Sequence, residues 1–437
     1  MNLKINDDHS ANDYMSMDFL KKLQLARLQK MVEHAYNNVQ LFRERMDERK
    51  IKPADIKTLK DINLLPFCVK TDLRDTYPFG LCAVPMSEIV RLHASSGTTG
   101  KPIVVAYTQK DLDVWNSVMR RALCCCGLSK NDVIQVSYGY GLFTGGLGAH
   151  GGAEALGATV VPASGGNTKR QVMLIRDFGV NAICCTPSYF LHLIEQAKEL
   201  GIDLRELPIR AGVFGAEPWT QGMRERLEVG AGIEAFDIYG LSEIIGPGVA
   251  IECNQHSGMH IFEDHFYPEI IDPDTCEVLP DGETGELVLT TLSKYAMPMI
   301  RYRTRDITRI IPEKCACGRT LRRIDRISSR SDDMFIIRGV NVFPSQIESA
   351  LLMVEGTTPN YMIKLSTAGN MDNIALDIEL AKDVYAQGEA IIEQIRRMVT
   401  ASVESITGLR IKVTVVPFNS ITRSEGKAKR VLDNRIR

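Results

Sequence analysis

Between residues 133 and 241, short apolar runs alternate with helical segments that carry their own start and stop signals. The runs are VIQVSYG from 133, ATVVPAS from 158, NAICCTPS from 181, AGVFGAEP from 211 and AFDIYG from 235. Their apolar residues do not simply alternate, as expected of strands covered on both faces. The segments between them predict helices from Thr168 to a stop at Gly179, from Ser188 to Gly201 and from Thr220 to Gly230. Each opens on a hydroxyl residue, which can satisfy a free backbone N–H, and closes on a glycine. Parallel strands cannot be joined by a tight turn, so this repetition specifies a largely parallel sheet with helices packed over it.

The flanks read differently. Leu20, Leu23, Leu28, Met31, Val32, Ala35 and Val39 fall at helical spacing and predict an amphipathic helix over 18–40. Near 259 the pattern becomes β-rich, with DPDTCEVLPDGETGELVLTTL turning at Asp281-Gly282. Asp272 and Asp274 alternate as in a calcium loop, but the spacing fails after the second acid and a turn is the better reading. Beyond 332, DMFIIRG, PSQIESALLMV, PNYMIKLS, NIALDIEL, a helix over 384–405 and RIKVTVVP give a βαββαβ order, the ferredoxin-like arrangement. The expected fold is therefore α/β: a large N-terminal domain, residues 1–330, with a helix-covered, mostly parallel sheet and a β-rich subdomain. A small, mobile α+β domain, 331–437, follows a short junction within RISSRSDDM.

Length agrees with two domains, since 437 residues exceed one compact core. A formal net charge of −2 lacks the basic footprint of nucleic-acid binding. The eleven cysteines are odd in number and three are consecutive, Cys124 to Cys126, which fits a reducing compartment rather than a disulfide framework. The N-terminus has no apolar signal core, and the weakly charged region 133–166 is broken by glycines and Glu154, so no membrane span is expected. A cytoplasmic location follows.

Four stretches carry chemistry. ASSGTTGKP, 94–102, gathers hydroxyls and glycines that let backbone N–H groups approach phosphate oxygens. It is not a Walker loop: only Thr98 and Thr99 separate Gly97 from Gly100, and Pro102 follows Lys101. YGLSE, 239–243, directly follows a strand, where an open α/β sheet places its ligands, and its Glu243 is a natural Mg²⁺ ligand or outer-shell anchor. YRTRD, 302–306, ends in Asp306, a candidate acceptor for ribose hydroxyls, and SITRSEGKAKR presents Lys427 on a glycine-containing loop. Singly, each could be a solvated surface feature; their order along one chain is the stronger signal.

That order, SSGTTGKP, GAEP, YGLSE, YRTRD, RSDDM…IIRG…FP…IE and EGK, resembles the adenylate-forming acyl-CoA ligase superfamily across essentially the whole chain. KTDLRDTYPFG, SYGYGLFTGG, FGAEPW and DDMFIIRGVNVFPSQIE are similar, more narrowly, to the phenylacetate–CoA ligase family. The resemblance implies that Ser95, Ser96, Gly97, Thr98, Thr99, Gly100 and Lys101 cradle the β- and γ-phosphates of ATP. It implies an adenine wall of Gly215, Ala216, Glu217 and Pro218, with Asp237, Tyr239, Gly240, Ser242 and Arg326 also on the nucleotide. Glu243 would help hold Mg²⁺, Asp306 the ribose, and Lys427 the α-phosphate and the acyl carboxylate. Asp332 falls at the hinge and Arg338 on the nucleotide or CoA side; Lys70, also on that side, faces the adenylate, stabilises the nearby loop or is merely an exposed helix-start lysine. Two positions depart from the pattern: Ser329 precedes Arg330 where the hinge motif usually has Gly, and Arg305 stands where the wider superfamily often has Gly.

The implied activity is conversion of an aryl or arylalkyl monocarboxylate, ATP and CoA to an acyl-CoA, AMP and pyrophosphate, by a homodimer. Tyr138, Tyr140, Phe143 and Gly145 offer a slot for a flat ring, or merely an aromatic strand end, and His150 lines that slot or packs nearby. Cys253, His260, Cys315 and Cys317 would close a structural tetrahedral zinc site, with His256 the substitute, and some members of the family keep such a set. Cys124 to Cys126, Cys184 and Cys185 read as core. Transfer of the acyl group to a carrier protein, and a zinc-stapled nucleotide sensor without turnover, are the competing readings.

Overall fold

The computed structural model describes residues 10–95, 102–331, 334–337, 340–368, 371–423 and 428–435. Among these, nine strands form the main sheet. Its parallel half runs Thr159–Val161, Val133–Val136, Ala182–Cys185, Ala211–Gly215, Glu234–Leu241, the five strands expected from the alternation. Beyond Leu241 the chain returns after a turn too short for a crossover, so Gly246–Glu252 must run back alongside it. The sheet continues antiparallel through Met259–Ile261, Arg323–Ile324 and Ile310–Ile311.

Two cores cover the two faces. Cys184 packs with Trp115 and Phe236 on one face, while its neighbour Cys185 packs with Phe190 and Phe214 on the other. Cys124 to Cys126 lie in the first of these cores, as expected. Helix ends differ from expectation by a residue or two. The cap of Pro187–Glu199 is Thr186, whose hydroxyl accepts from Tyr189 N–H, and not Ser188. Gln221–Ala231 runs through Gly230 and stops at Gly232, which takes the left-handed φ of +68°. Gly230 serves packing instead, since a Cβ there would stand 3.0 Å from Ile194.

The β-rich region is a second, antiparallel sheet of Phe266–Ile271, Gly285–Thr291, Tyr302–Thr308 and Ser329–Arg330. Asp272 accepts the N–H groups of Asp274 and Thr275, a turn and not a calcium loop. The amphipathic helix Met17–Asn38 buries Leu28, Val32 and Ala35 against Ile56, Ile62 and Leu65.

The C-terminal unit is α+β, but its strand pairing corrects the ferredoxin-like expectation. Phe335–Ile337 pairs with Val340–Val342 in a separate hairpin, because its partner follows immediately in sequence. Its sheet runs Lys412–Val415, Met371–Leu380, Thr357–Ala368, Val431–Asn434, so a C-terminal strand holds the remaining edge. The helix expected over 384–405 is two, Lys382–Tyr385 and Glu389–Thr407, separated at Gly388, whose φ is +97°. No helix among the described residues is long and apolar enough to cross a membrane.

Candidate active site

Gly215 to Glu217 and Tyr239 to Glu243 lie at the C-terminal ends of two parallel strands, where such sheets bind ligands. Arg91–Ser95 and Ile103–Tyr107 pair with Ser95 opposite Ile103, so the hydroxyl-rich run joins two adjacent strands. Ser96, Gly97, Thr98, Thr99, Gly100 and Lys101 lie outside the described residues, as do Asp332, Arg338 and Lys427. The hairpin is fastened to the aromatic segment: Ala94 N–H donates to the Leu142 carbonyl at 2.9 Å, and His93 Nδ1 lies 3.0 Å from it.

At the end of Glu234–Leu241, the Tyr239 hydroxyl donates to Asp306 at 2.6 Å, and Arg330 lies 3.3 Å from the other Asp306 oxygen. Gly240 is required by close approach, since a Cβ would meet the Gly246 carbonyl oxygen at 2.0 Å. Ser242 and Thr144 hydroxyls stand 3.0 Å apart. The Glu243 side chain is buried, with Lys70 Nζ 4.0 Å away. Beneath it Lys294 donates to the Glu243 carbonyl at 2.8 Å. Burial pushes the Lys294 ammonium down to about 8, against the opposing pull of Asp111 and Glu243.

Gly215 and Ala216 form a bend in which Ala216 has φ +69° and a Gly215 Cβ would meet the Ile238 carbonyl at 2.3 Å. Glu217 accepts from Ser188 N–H at 2.8 Å and from Ala428 N–H at 2.9 Å, so it ties a helix start to the C-terminal unit. Asp237 is buried 3.8 Å from Arg326, and burial beside Glu252 raises its carboxyl. Tyr138 and Tyr140 are half-buried, with Gly145 packed on the Tyr138 ring. Phe143 is 52% exposed and caps the helix Thr144–Leu156. The Tyr140 hydroxyl lies 3.1 Å from His150 Nδ1, and His150 Nε2 lies 2.9 Å from Glu154, so His150 links the tyrosine hydroxyl to an acid.

Cys253, His260, Cys315 and Cys317 bring their ligand atoms within 4.8 Å of one another, all four residues buried. Nδ1 of His260 lies 3.1 Å from the Leu321 carbonyl and donates to it, which leaves Nε2 to face Cys317 Sγ at 3.3 Å. Contact with Cys253 and His260 holds the Cys317 thiol well below its usual range. His256 is not in this set: it contacts Arg224 at 2.8 Å and Glu234 at 2.9 Å.

The models of the AMP-binding enzyme and of the AMP-binding enzyme C-terminal domain match residues 23–293 and 339–435. The chain is 50% identical over 440 residues to the phenylacetate-coenzyme A ligase of Pseudomonas putida, spanning 100% of both chains. The chain belongs to the phenylacetate–CoA ligase family. It is an ATP- and CoA-dependent ligase. Among solved structures, 2-hydroxyisobutyryl-CoA ligase in the postadenylation state, with R3-HIB-AMP, matches with TM-score 0.93 at 30% identity, over 99% of this chain and 93% of that one. The same ligase with 2-HIB-AMP and CoA in the thioesterification state matches at 0.72 and 31% identity, over 97% and 91%.

The chain superposes on the first of these over nearly its whole length better than on the second, so the two family-matched units are arranged here as in the first. Its two units are joined in that arrangement by Glu217 to Ala428, by Arg226 to the Thr357 carbonyl at 2.7 Å, and by Ser345 to the Ser328 carbonyl at 2.7 Å. Both departures from the family pattern have a physical account. Arg305 adopts φ +68°, the left-handed region a glycine would occupy freely, and Glu286 holds it there through its N–H at 3.2 Å. Ser329 lies in a strand opposite Ile307, outside the left-handed residues, so no glycine is needed. Sequence reasoning missed Lys294 and Tyr107, whose hydroxyl donates to the Ile245 carbonyl at 3.0 Å. Nothing local in LSKYA or VVAYT marks them, since their partners are distant in sequence.

Proposed function

We propose that this ligase activates phenylacetate, first as phenylacetyl-adenylate and then as phenylacetyl-CoA. The observation that carries the proposal is the identity with a phenylacetate-coenzyme A ligase over the whole of both chains. The acid's carboxylate oxygen attacks the α-phosphorus of ATP and pyrophosphate leaves. The CoA sulfur then attacks the acyl carbon and expels AMP. Ser95 and the run through Lys101 hold the phosphates, Gly215 to Pro218 the adenine, and Asp306, steadied by Tyr239, the ribose. Tyr138, Tyr140 and Gly145 border the aryl ring, with Phe143 at the rim. Lys427 serves the α-phosphate and the acyl carboxylate, and the neighbouring Ala428 is tied to Glu217 of the adenine wall, which supports this reading. Lys70 and Arg338 serve the nucleotide or CoA side, and Asp332 lies at the hinge between units divided near residue 330.

One buried carboxylate suits Mg²⁺, which is held through one or two carboxylates plus substrate phosphates. Glu243 would hold it, and bound there it would neutralise charge developing on the phosphates. Three thiols and one imidazole suit zinc in a closed, structural site. The enzyme works as a cytoplasmic homodimer. A panel of phenylacetate, benzoate, indoleacetate, arylpropionate and 2-hydroxyisobutyrate, assayed with ATP and CoA, tests the substrate. Phenylacetate is expected to give the highest kcat/KM, and a tenfold preference for another acid (about 1.4 kcal/mol) would overturn it.

A further inference from the structure

Two carboxylates of the first unit meet the second at Arg423 and Ala428, the residues that flank 424–427 in sequence. Glu217 divides its oxygens between the units: Oε1 accepts from Ser188 N–H at 2.8 Å, and Oε2 accepts from Ala428 N–H at 2.9 Å. Glu195 stands 3.6 Å from Arg423 Nε. Arg423 is held there by its own unit, since buried Glu379 lies 2.8 Å from its Nη2 and accepts the Ile421 N–H at 2.6 Å. Ser188, His192 and Glu195 are four and three residues apart on the helix Pro187–Glu199, hence on one face. Ser188 and His192 line a cleft opposite Arg423 and Ala428, so this helix face is where the second unit docks. Ala428 is also followed by backbone fixed to the second unit. The Arg430 carbonyl accepts the Ile363 N–H at 2.8 Å, the Arg430 guanidinium lies 4.5 Å from the Tyr361 ring centroid, and Val431 pairs with Ile363 in the sheet. Glu195 and Glu217 are themselves only half-buried, so water can take over both carboxylates when the units part. That suits a contact made for one step and released for the next.

We propose that Glu217 and Glu195 are positioning residues for adenylation: they hold Ala428 and Arg423, the two ends of the stretch that includes Lys427, against the first unit. This rests on the assignment of Lys427 to the first half-reaction. Because the contacts belong to the postadenylation arrangement, thioester formation should not need them.

The test measures both half-reactions in the full-length enzyme. Adenylation is read as phenylacetate-dependent ATP–pyrophosphate exchange, giving kcat and KM for ATP; the second step is read from supplied phenylacetyl-adenylate and CoA. Glu217→Ala should lower the kcat of adenylation about tenfold or more, through loss of a charge-assisted bond. Its KM for ATP should stay within about twofold, the pattern of an interaction needed only in the transition state. A raised KM with kcat kept marks a carboxylate that only binds adenine, and overturns its role. Glu195→Lys, which sets a like charge before Arg423, should lower the same kcat about three- to tenfold, and Glu195→Gln about twofold. Thioester formation in both Glu195 variants should stay within about twofold of wild type. Equal loss in the two half-reactions overturns the proposal as a general structural effect, and so does wild-type adenylation in Glu195→Lys. Lys427→Ala separates the proposal from the reading beneath it: if adenylation survives there, the assignment of Lys427 fails and this inference with it. If Lys427→Ala is crippled in adenylation while Glu217→Ala and Glu195→Lys are not, the positioning role alone fails. Should Glu217→Ala fail to fold, wild-type adenylation in Glu195→Lys remains the overturning result.

Discussion

At the Cys/His cluster the chain brings four ligand atoms within 4.8 Å of one another, whereas at the Glu243 turn it brings one carboxylate, held by its own backbone carbonyl. The first set leaves no position for a substrate and joins the strand end at Cys253, the strand residue His260 and the loop carrying Cys315 and Cys317. The second, in the role proposed for it, would need phosphate oxygens to complete a cation's shell. A closed set suits stapling; an open one suits chemistry that begins when ATP binds and ends when pyrophosphate leaves.

The strongest way to break this contrast is at Lys427. Lys427→Ala should lower adenylation by about 10²–10³, the cost of losing one group aimed at developing charge. Conversion of supplied acyl-adenylate to thioester should stay near wild type, and equal losses in stopped-flow assays of both steps would refute the alternation of domains. Next is the closed cluster: Cys315→Ser or Cys317→Ser should release the metal and cost several kcal/mol, on the order of 3 or more. Turnover per folded molecule should persist, which elemental analysis with active-site titration will read.

A smaller effect is expected between the units. Arg226→Ala removes the donor to the Thr357 carbonyl, a charge-assisted bond of about 1.5–3 kcal/mol when buried and less at this half-buried place. Adenylation should slow by about two- to fivefold and thioester formation should not, as that step is expected to use the other arrangement.

The smallest effect concerns the stability of Lys294→Met. Burial lowers this ammonium from 10.5 to about 8, so its charge opposes folding by about 3 kcal/mol at pH 7. Removing it leaves the Glu243 carbonyl unpaired, at about 1–3 kcal/mol, and the melting temperature at pH 7 should barely move. Above pH 8 the folded wild type sheds its proton while the unfolded chain keeps one up to 10.5, so the wild type gains stability relative to the variant. A gap that stays constant from pH 7 to 10.5 in paired melting curves would contradict the buried charge.

Much of this was legible in the sequence because it is local. The alternation of strands and capped helices fixed the parallel half of the sheet, and YGLSE placed Glu243 at a strand end. Resemblance, and not spacing, supplied the roles of Asp306 and Lys427. What was hidden depends on distance along the chain. Lys294 meets Glu243 across 51 residues, and Glu217 meets Ala428 across 211, and no local pattern encodes such pairs. The first strand of the C-terminal unit misled because its apolar run suits either a sheet or a hairpin, and its partner in sequence was nearer. Arg305 was visible as a departure from glycine, but only its φ of +68° explains why Glu286 must hold it.

The proposed contrast between a zinc cluster and a Mg²⁺ carboxylate is tested most directly by excess EDTA, with both half-reactions and the zinc content measured on the same sample. Adenylation should stop at once, while supplied phenylacetyl-adenylate and CoA still form thioester and about one equivalent of zinc stays bound. Persisting adenylation in EDTA, or thioester formation that fails in step with zinc loss, would contradict the division between a catalytic and a structural site.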